Sequence, residues 1–419
     1  MTDLPLTGIR VLELTTAWAG PMAGRVLARL GAEVIHVESP TRTNSWRVNK
    51  GRPAPVNYPG LDPGERRWDR SFLFNSQNVG KRSFAVDLKT PDGLEAVQAL
   101  ARVSDVLTCN FRPGLLARLG LDHATLSRDV PGLIVVEMPA FGLDGPHAGY
   151  AALGPTMEMA AGMSAGIAYP GGAPSVTGPS YLDPVGGFNA AAAVLDALWR
   201  RRRTGLGCHV EVGQVEAAMQ LIGPEILAAA EAGDVEPDGN RVPWAAPHGC
   251  YPALGEDAWV VVAAEGEEAW LALVGAMGQP ALARDPRFLD LAARKANEDA
   301  LDAIITGWTV DHEAHALARD LQALGVAAAP VQTPADLSRS DYLEARAFFT
   351  PLDHPVAGRH RHPGLPIHLS DTPLEDRTAA PSFGADNRWV LRDVLGWPEE
   401  KVAAMERSGA IADRPLEDA

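Results

Sequence analysis

Asp183 stands on the threshold of an alanine-rich stretch, Gly178-Pro-Ser-Tyr-Leu-Asp183-Pro-Val-Gly-Gly187-Phe-Asn-Ala-Ala-Ala-Ala-Val-Leu-Asp-Ala-Leu198, whose first turn is kept small. Helix start signals place Asp183 at the N-cap and Pro184 at the first helical position. Capping is therefore one reading of the aspartate. Chemistry is the other. Gly186 and Gly187 occupy the first turn at a propensity cost of about 1 kcal/mol each, which points to close approach of a ligand or another backbone. A helix N-terminus favours an anionic carboxylate, and an ordinary aspartate is ionised at pH 7. Such a group can act as a nucleophile with no base to activate it.

The remaining residues able to do chemistry are scattered. His147, His209 and His248 show no metal-ligand spacing. Glu158 reads either as a second acid near Asp183 or as a carboxylate on a helix surface. Cys109, Cys208 and Cys250 are widely spaced with no C-x-x-C pair, which predicts a reduced, cytoplasmic protein.

The elements that must position Asp183 read as an α/β chain. Ile9–Leu14 is a short apolar run, Ala19–Gly24 a turn leading into a helix over Arg25–Leu30, and Ala32–Glu38 a second strand. This βαβ start predicts a parallel, doubly wound sheet. Thr90–Arg102 is a capped helix, Asp105–Asn110 and Leu133–Glu137 are strands, and Met138–Pro146 is a Gly/Pro-rich loop. The helix from Asp183 ends in Arg200–Arg203, a favourable C-terminal charge cluster. Beyond Gly223 an acidic helical piece runs from Glu225 to Val235. A smaller α/β unit follows, with Trp259–Ala263 its clearest strand and Glu267–Met277 its clearest helix. The tail, Pro351 to Gly409, is proline-rich and ends in a helix near Arg388–Leu395.

A formal charge of −16, with that arginine run as the one basic cluster, argues against nucleic acid as a partner. The stretch from Ala190 is too soon interrupted by Asp196 and four arginines to span a bilayer. No membrane association and no charged-then-apolar leader ahead of Leu4-Pro5-Leu6 is expected.

Several blocks, in order and spacing, carry a family resemblance: Gly8-Ile-Arg-Val-Leu-Glu-Leu14, Gly31-Ala-Glu-Val-Ile-His-Val-Glu38, Asn78-Val-Gly-Lys-Arg-Ser83 with Asp87-Leu-Lys89, Asn110-Phe-Arg-Pro-Gly114, Phe141-Gly-Leu-Asp-Gly-Pro146 and Asp183-x-x-x-Gly187. Pro247-His-Gly-Cys-Tyr251, Asp285-Pro-Arg-Phe288 and Gly325-Val-Ala continue it. The chain resembles the class III CoA-transferases (CaiB/BaiF type, formyl-CoA transferase-like) over nearly its whole length.

That resemblance implies a Rossmann-like large domain plus a smaller α/β domain in an interlocked homodimer. The large CoA-binding domain would take residues 1–205 and 346–419, the small domain 230–330, with linkers at 206–229 and 331–345. The resemblance also implies a reaction: CoA moves from an acyl-CoA donor to a carboxylic acid acceptor through a covalent aspartyl-CoA thioester on Asp183. CoA is a substrate, and no metal or redox cofactor is needed. By place in the family blocks, Asn110, Phe111 and Arg112 resemble adenine and pantetheine contacts. Asn78, Lys81 and Arg82 lie in a nucleotide segment, Arg47 resembles a phosphate-side arginine, and Ala17, Trp18 and Ala19 would line the thioester end. The acyl pocket is expected from Tyr169 to Tyr181 and the partner chain, with Trp18, Met157 and Met163 as apolar wall or core.

Rival readings remain on the same residues. α-Methylacyl-CoA racemases share the fold but pair an aspartate with a histidine; here Leu153-Gly-Pro-Thr-Met-Glu158 has Pro155 where that histidine would fall. The region 239–249, Gly-Asn-Arg-Val-Pro-Trp-Ala-Ala-Pro-His-Gly, lacks the glycine run that covers the intermediate in some transferases. Net hydrolysis or lyase activity stays open on that ground. A nicotinamide enzyme is disfavoured because Thr15–Gly24 lacks G-x-G-x-x-G. A non-catalytic CoA-binding protein is the alternative of another class.

Overall fold

β1 (Arg10–Leu14), α1 (Ala19–Arg29) and β2 (Glu33–Glu38) form the first βαβ unit of the computed structural model, which describes residues 4–48, 54–178, 180–233, 237–374 and 378–416. β3 (Arg82–Ala85), α2 (Pro91–Arg102), β4 (Val106–Cys109) and β5 (Ile134–Glu137) follow. α2 starts where its sequence says: Thr90 Oγ1 accepts from the Gly93 N–H at 3.1 Å and Pro91 opens the first turn. α3 (Gly154–Ala160) precedes the long α4 (Leu182–Thr204), which stops at Gly205 with φ of 74°.

The sheet has strand order β3-β2-β1-β4-β5-β6 and is parallel throughout, with β6 (His209–Glu211) at one edge. Alternate residues of each strand serve opposite faces. Val11, Val34, Val106 and Val136 pack against α1 and α4 through Leu27, Ala190 and Val194. Leu12, Ile35, Phe84, Leu107 and Val135 pack against α2 on the other face. The order reverses between β1 and β4, and the crevice at their C-terminal ends is the place where open α/β sheets bind ligands.

Residues 206–229, expected as a linker, hold β6, α5 (Gln214–Met219) and most of α6 (Gly223–Ala232). The strand was missed because only three residues, His-Val-Glu, pair with β5. Residues 331–345 likewise hold short helices at Pro334–Ser338 and Asp341–Ala345. Val235, expected to end the acidic helix, lies outside the described residues.

The chain divides into two compact units. One comprises Met1–Ser164, Val176–Glu231 and Ala345–Ala419; the other comprises Ala165–Ser175 and Ala232–Glu344. The second unit has an antiparallel sheet of β7 (His248–Pro252), β8 (Trp259–Ala263) and β9 (Ala327–Pro330). α7 (Gly266–Ala276), α8 (Glu298–Thr309) and α9 (Ala314–Ala323) pack on it around Trp270, Phe288, Leu301 and Ile305. In the tail, a hairpin of β10 (Phe349–His354) and β11 (Gly358–Pro363) precedes α10 (Glu399–Ser408), whose Val402 and Met405 join the first unit's core. The tail also blunts the sheet's open edge at β3. Asp386 accepts from the Ser83 N–H at 2.9 Å, Asn387 from the Ala85 N–H at 2.7 Å, and the Ala410 carbonyl from the Asp87 N–H at 2.8 Å.

Candidate active site

α4 begins at Leu182, two residues earlier than expected, so Asp183 is its second helical residue and does not cap α4. The cause lies just upstream. Ser180 takes a left-handed φ of 48° and its carbonyl accepts the Asp183 N–H at 3.0 Å, which turns the chain into the helix ahead of the aspartate. The carboxylate is thereby free to face other groups.

Those groups are donors. The N–H of Ala19, first residue of α1, the N–H of Gly154, first residue of α3, and the Ser180 hydroxyl each favour the ionised Asp183 carboxylate. Three helix starts thus meet at one side chain, each favouring negative charge there. Burial opposes them and prevails: Asp183 is 9% exposed, and its pKa is pushed up to about 6 by desolvation despite the three donors.

The glycines are explained by close packing around this point. A Cβ at Gly187 would lie 2.6 Å from the Ala19 carbonyl oxygen and from Met22 Cβ, and one at Gly186 would lie 2.7 Å from Gln214 Oε1. Another backbone, that of α1, is what approaches the first turn. Gly154 is tighter still, with Asp183 Oδ2 at 2.4 Å and Ser180 Cα at 2.5 Å from a Cβ placed there.

Asp183 opens onto a cavity of about 200 Å³ lined by Ala17, Ala19, Asn110, Phe111 and Arg112 on one side and by Tyr150, Leu153, Met157 and Gln214 on the other. Asn110 ties the two strand-end loops together: its Oδ1 accepts the Thr16 N–H at 2.9 Å and its Nδ2 donates to the Thr16 carbonyl at 2.8 Å. Ala17, between them, has a left-handed φ of 59°. Strain of this kind persists where the surroundings over-determine it, as the Asn110 pair does. Arg112 is exposed and is the one cation lining the cavity among the described residues.

A larger groove of about 590 Å³ adjoins it, sharing Thr16 and Phe111, at the ends of β1 and β2. Arg42 and Lys89, both exposed, line that groove. Sequence reading missed Arg42, Gln214, Tyr150, Gly154 and the left-handed turn at Ser180. The Leu153-Gly-Pro155 and Gly178-Pro-Ser180 turns were the available signals for the last two.

Four expected nucleotide contacts, Arg47, Asn78, Lys81 and Arg82, make their contacts within the fold. Arg47 is fully buried; it binds both oxygens of Glu38 at 2.6 and 2.8 Å and Asp69 at 3.1 Å, and lies 3.5 Å from the centre of the Phe74 ring. No face of it is offered to a phosphate. Lys81 is buried against Glu13 at 2.9 Å and also donates to the Pro21 carbonyl at 2.8 Å and Asn78 Oδ1 at 3.0 Å. Asn78, itself 1% exposed, donates to the Phe74 carbonyl. Burial alone would raise Glu13, yet the Lys81 ammonium and His36 more than offset it and hold its pKa at about 2. Arg82 pairs with Asp386 at 2.8 Å and stacks 3.9 Å over the Trp389 ring.

Trp18 packs on Trp46, ring centres 5.4 Å apart, and does not line the cavity. Met163 is core, in a cluster with Met157 and Leu182. Residues 169–175, expected to shape the acyl pocket, group with the second compact unit. Glu158, read as a surface carboxylate or a second acid, is wholly buried. Among the described residues no group of three or more His, Cys, Asp or Glu side chains is placed to hold a metal ion, and no helix is long and apolar enough to cross a membrane.

A buried carboxylate in a mostly apolar cavity beside a larger groove suits a substrate with an acyl head and an extended polar tail. Comparison with known proteins gives the same direction. The sequence model of CoA-transferase family III matches residues 6–387. The chain is 32% identical over 409 residues to the succinyl-CoA--D-citramalate CoA-transferase of Chloroflexus aurantiacus, covering 97% of this chain and 98% of that one. It is 28% identical over 430 residues to the formyl-CoA:oxalate CoA-transferase of Rhodopseudomonas palustris, covering 97% of each. A CaiB/BaiF family protein from Brucella suis superposes with a TM-score of 0.85 at 29% identity, over 94% of this chain and 100% of that one. The chain belongs to CoA-transferase family III.

Proposed function

We propose that this enzyme moves CoA from an acyl-CoA donor to a carboxylic acid acceptor through a covalent thioester on Asp183. The observation that carries the reading is the Asp183 carboxylate itself: buried, met by two backbone N–H groups and a hydroxyl, and facing a mostly apolar cavity.

The carboxylate attacks the thioester carbonyl and expels CoA thiolate, leaving a mixed anhydride of Asp183 and the donor acid. The thiolate attacks the aspartyl carbonyl and releases the donor acid, leaving aspartyl-CoA. An acceptor carboxylate attacks that thioester, re-forming an anhydride and freeing the thiolate, which then attacks the acceptor carbonyl and restores Asp183. Two of these attacks build negative charge on an aspartyl oxygen. The Ala19 and Gly154 amides, held by α1 and α3, suit that charge in a site with little water. An aspartate with a pKa near 6 is mostly ionised at pH 7 and is more nucleophilic than a fully solvated one.

CoA would lie with its thioester at Asp183, its arm along Asn110 and Phe111, and its phosphates in the groove bearing Arg42 and Lys89. A homodimer, interlocked in the manner of the family, is part of the proposal. It is supported by α6, whose Ile226 and Leu227 are 45% and 72% exposed with no residue of the helix buried, and by Trp199 at 61%. A cytoplasmic setting accords with three free cysteines.

The test is trapping with hydroxylamine: acyl-CoAs are incubated with the enzyme, quenched with hydroxylamine, and the hydroxamate is mapped by peptide mass spectrometry. A hydroxamate at Asp183, lost in Asp183→Ala, is expected. Exchange of an α-proton into solvent deuterium with no hydroxamate would replace transfer by racemase-type chemistry, and acid release without an acceptor would replace it by hydrolysis.

A further inference from the structure

Glu158 is a buried carboxylate that the proposed chemistry does not use. It is 0% exposed and, among the described residues, has no cation in its hydrogen-bond and ion-pair contacts. Its Oε2 accepts twice from a single residue, from the Thr177 N–H at 2.8 Å and from Thr177 Oγ1 at 2.9 Å. Its Oε1 is buried with no hydrogen-bond partner among the described residues. A buried carboxylate left half unsatisfied is costly, and an apolar side chain would fill the same space without that penalty. The expense calls for a purpose.

Placement along α3 supplies one. Gly154 and Glu158 are one helical turn apart and so share a face of α3. Gly154 abuts Ser180 and Asp183, while Glu158 grips Thr177. The same helix face therefore touches both ends of the 177–183 segment. Between those ends Ser180 is held in a left-handed conformation, and its hydroxyl favours the ionised Asp183 carboxylate. A strained residue of this kind needs anchors on either side. α4 provides the downstream one, and Glu158 the upstream one.

We propose that Glu158 is a positioning residue: by clamping Thr177 it fixes the 177–183 segment against α3 and so sets the Ser180 turn and the direction of the Asp183 carboxylate. It acts as an acceptor, not as an acid, and a glutamine at 158 suffices because its amide oxygen accepts as well. The inference deepens the reading of Asp183 as nucleophile, but its geometric content stands apart from the chemistry.

The experiment compares Glu158→Gln, Glu158→Leu and Thr177→Val in the full chain. The Asp183 carboxyl is titrated by carbon NMR on aspartate-labelled protein, with Asp183→Asn used to assign the signal. Among the described residues Arg112 is the only other charged residue lining the cavity, so the midpoint reports chiefly on burial and on the three donors. Glu158→Gln is expected to keep the wild-type midpoint. Glu158→Leu and Thr177→Val should move it down toward the ordinary aspartate range as water reaches the loosened segment. In turnover, Glu158→Leu should lose roughly tenfold or more in kcat with KM for the acyl-CoA little changed, as expected for a misdirected nucleophile. The double variant Glu158→Leu/Thr177→Val should be no worse than the weaker single one.

A Glu158→Gln variant as impaired as Glu158→Leu would overturn the proposal and make the ionised carboxylate itself the working group. An unmoved midpoint in both Glu158→Leu and Thr177→Val would overturn it as well. Should Glu158→Leu not fold, Thr177→Val tests the same clamp from the other side. Failure of the covalent reading looks different: no hydroxamate at Asp183 in the wild type, with its midpoint still measurable and still responsive to Glu158.

Discussion

Gly154 leaves no room for a side chain beside Asp183: a Cβ at 154 would sit 2.4 Å from Asp183 Oδ2 and 2.5 Å from Ser180 Cα. Neither neighbour is the loose end of a flexible chain. Gly154→Ala should therefore displace the carboxylate while leaving the sheet intact. A displacement near 1 Å corresponds to a loss of roughly a hundredfold in turnover. Steady-state kinetics beside circular dichroism checks this; full activity in the alanine variant would show that the carboxylate has slack it is here denied.

Burial raises the Asp183 pKa from 3.8 to about 6, so its ionisation opposes folding at neutral pH. The folded state binds the proton more tightly than the unfolded one between these values. Stability from this group is fully present below about pH 4 and lost as pH rises through about 6. The shift corresponds to on the order of 3 kcal/mol at most. Asp183→Asn should raise the melting temperature at pH 8 and have little effect at pH 4, while turnover of the wild type should climb through pH 6 as the nucleophile ionises. Calorimetry at the two pH values is the direct check, and equal stabilisation at both would contradict it.

The Glu13–Lys81 pair lies at the heart of the first unit, with Lys81 also bound to Pro21 and Asn78. Removing one member leaves an uncompensated buried charge, at a cost of about 3–5 kcal/mol. Lys81→Ala should thus show a large drop in urea midpoint, and its surviving folded fraction should bind acyl-CoA with nearly the wild-type KM. A normal urea midpoint with a raised KM would instead restore Lys81 as a nucleotide contact.

Arg42 and Lys89 are exposed in the groove next to the Asp183 cavity. If CoA phosphates lie there, Arg42→Ala and Lys89→Ala should each raise KM for the acyl-CoA by roughly five- to tenfold, with kcat retained and the effect fading in high salt. Unchanged KM at low ionic strength would move the nucleotide elsewhere.

Which of these features the sequence could disclose depends on how local their causes are. Asp183, Asn110 and the βαβ start are legible because short motifs fix them: small residues at a helix start, and an apolar run followed by a turn. The burial of Arg47 and Lys81 was not legible because an exposed cation and a buried one look alike in sequence. Their carboxylate partners, Asp69 and Glu13, lie 22 and 68 residues away, one on a short helix and the other on β1. Glu158 was taken for a surface or second acid for the same reason: Thr177, which it grips, is 19 residues on. The start of α4 was off by two residues because Ser180, not Asp183, ends the loop, and nothing in a serine announces a positive φ.

The bonds from Asp386, Asn387 and Ala410 to the strand at 82–85 and its exit carry an implication for synthesis. Every strand of the parallel sheet has left the ribosome by Glu211, yet the groups that finish its open border are made some 175 residues later. Through that interval the nascent sheet carries an unprotected rim, and the second unit is completed before the rim is sealed. A shortened chain that ends before Pro381 would keep this rim permanently, which makes the last forty residues the part of the molecule that guards it against its own kind.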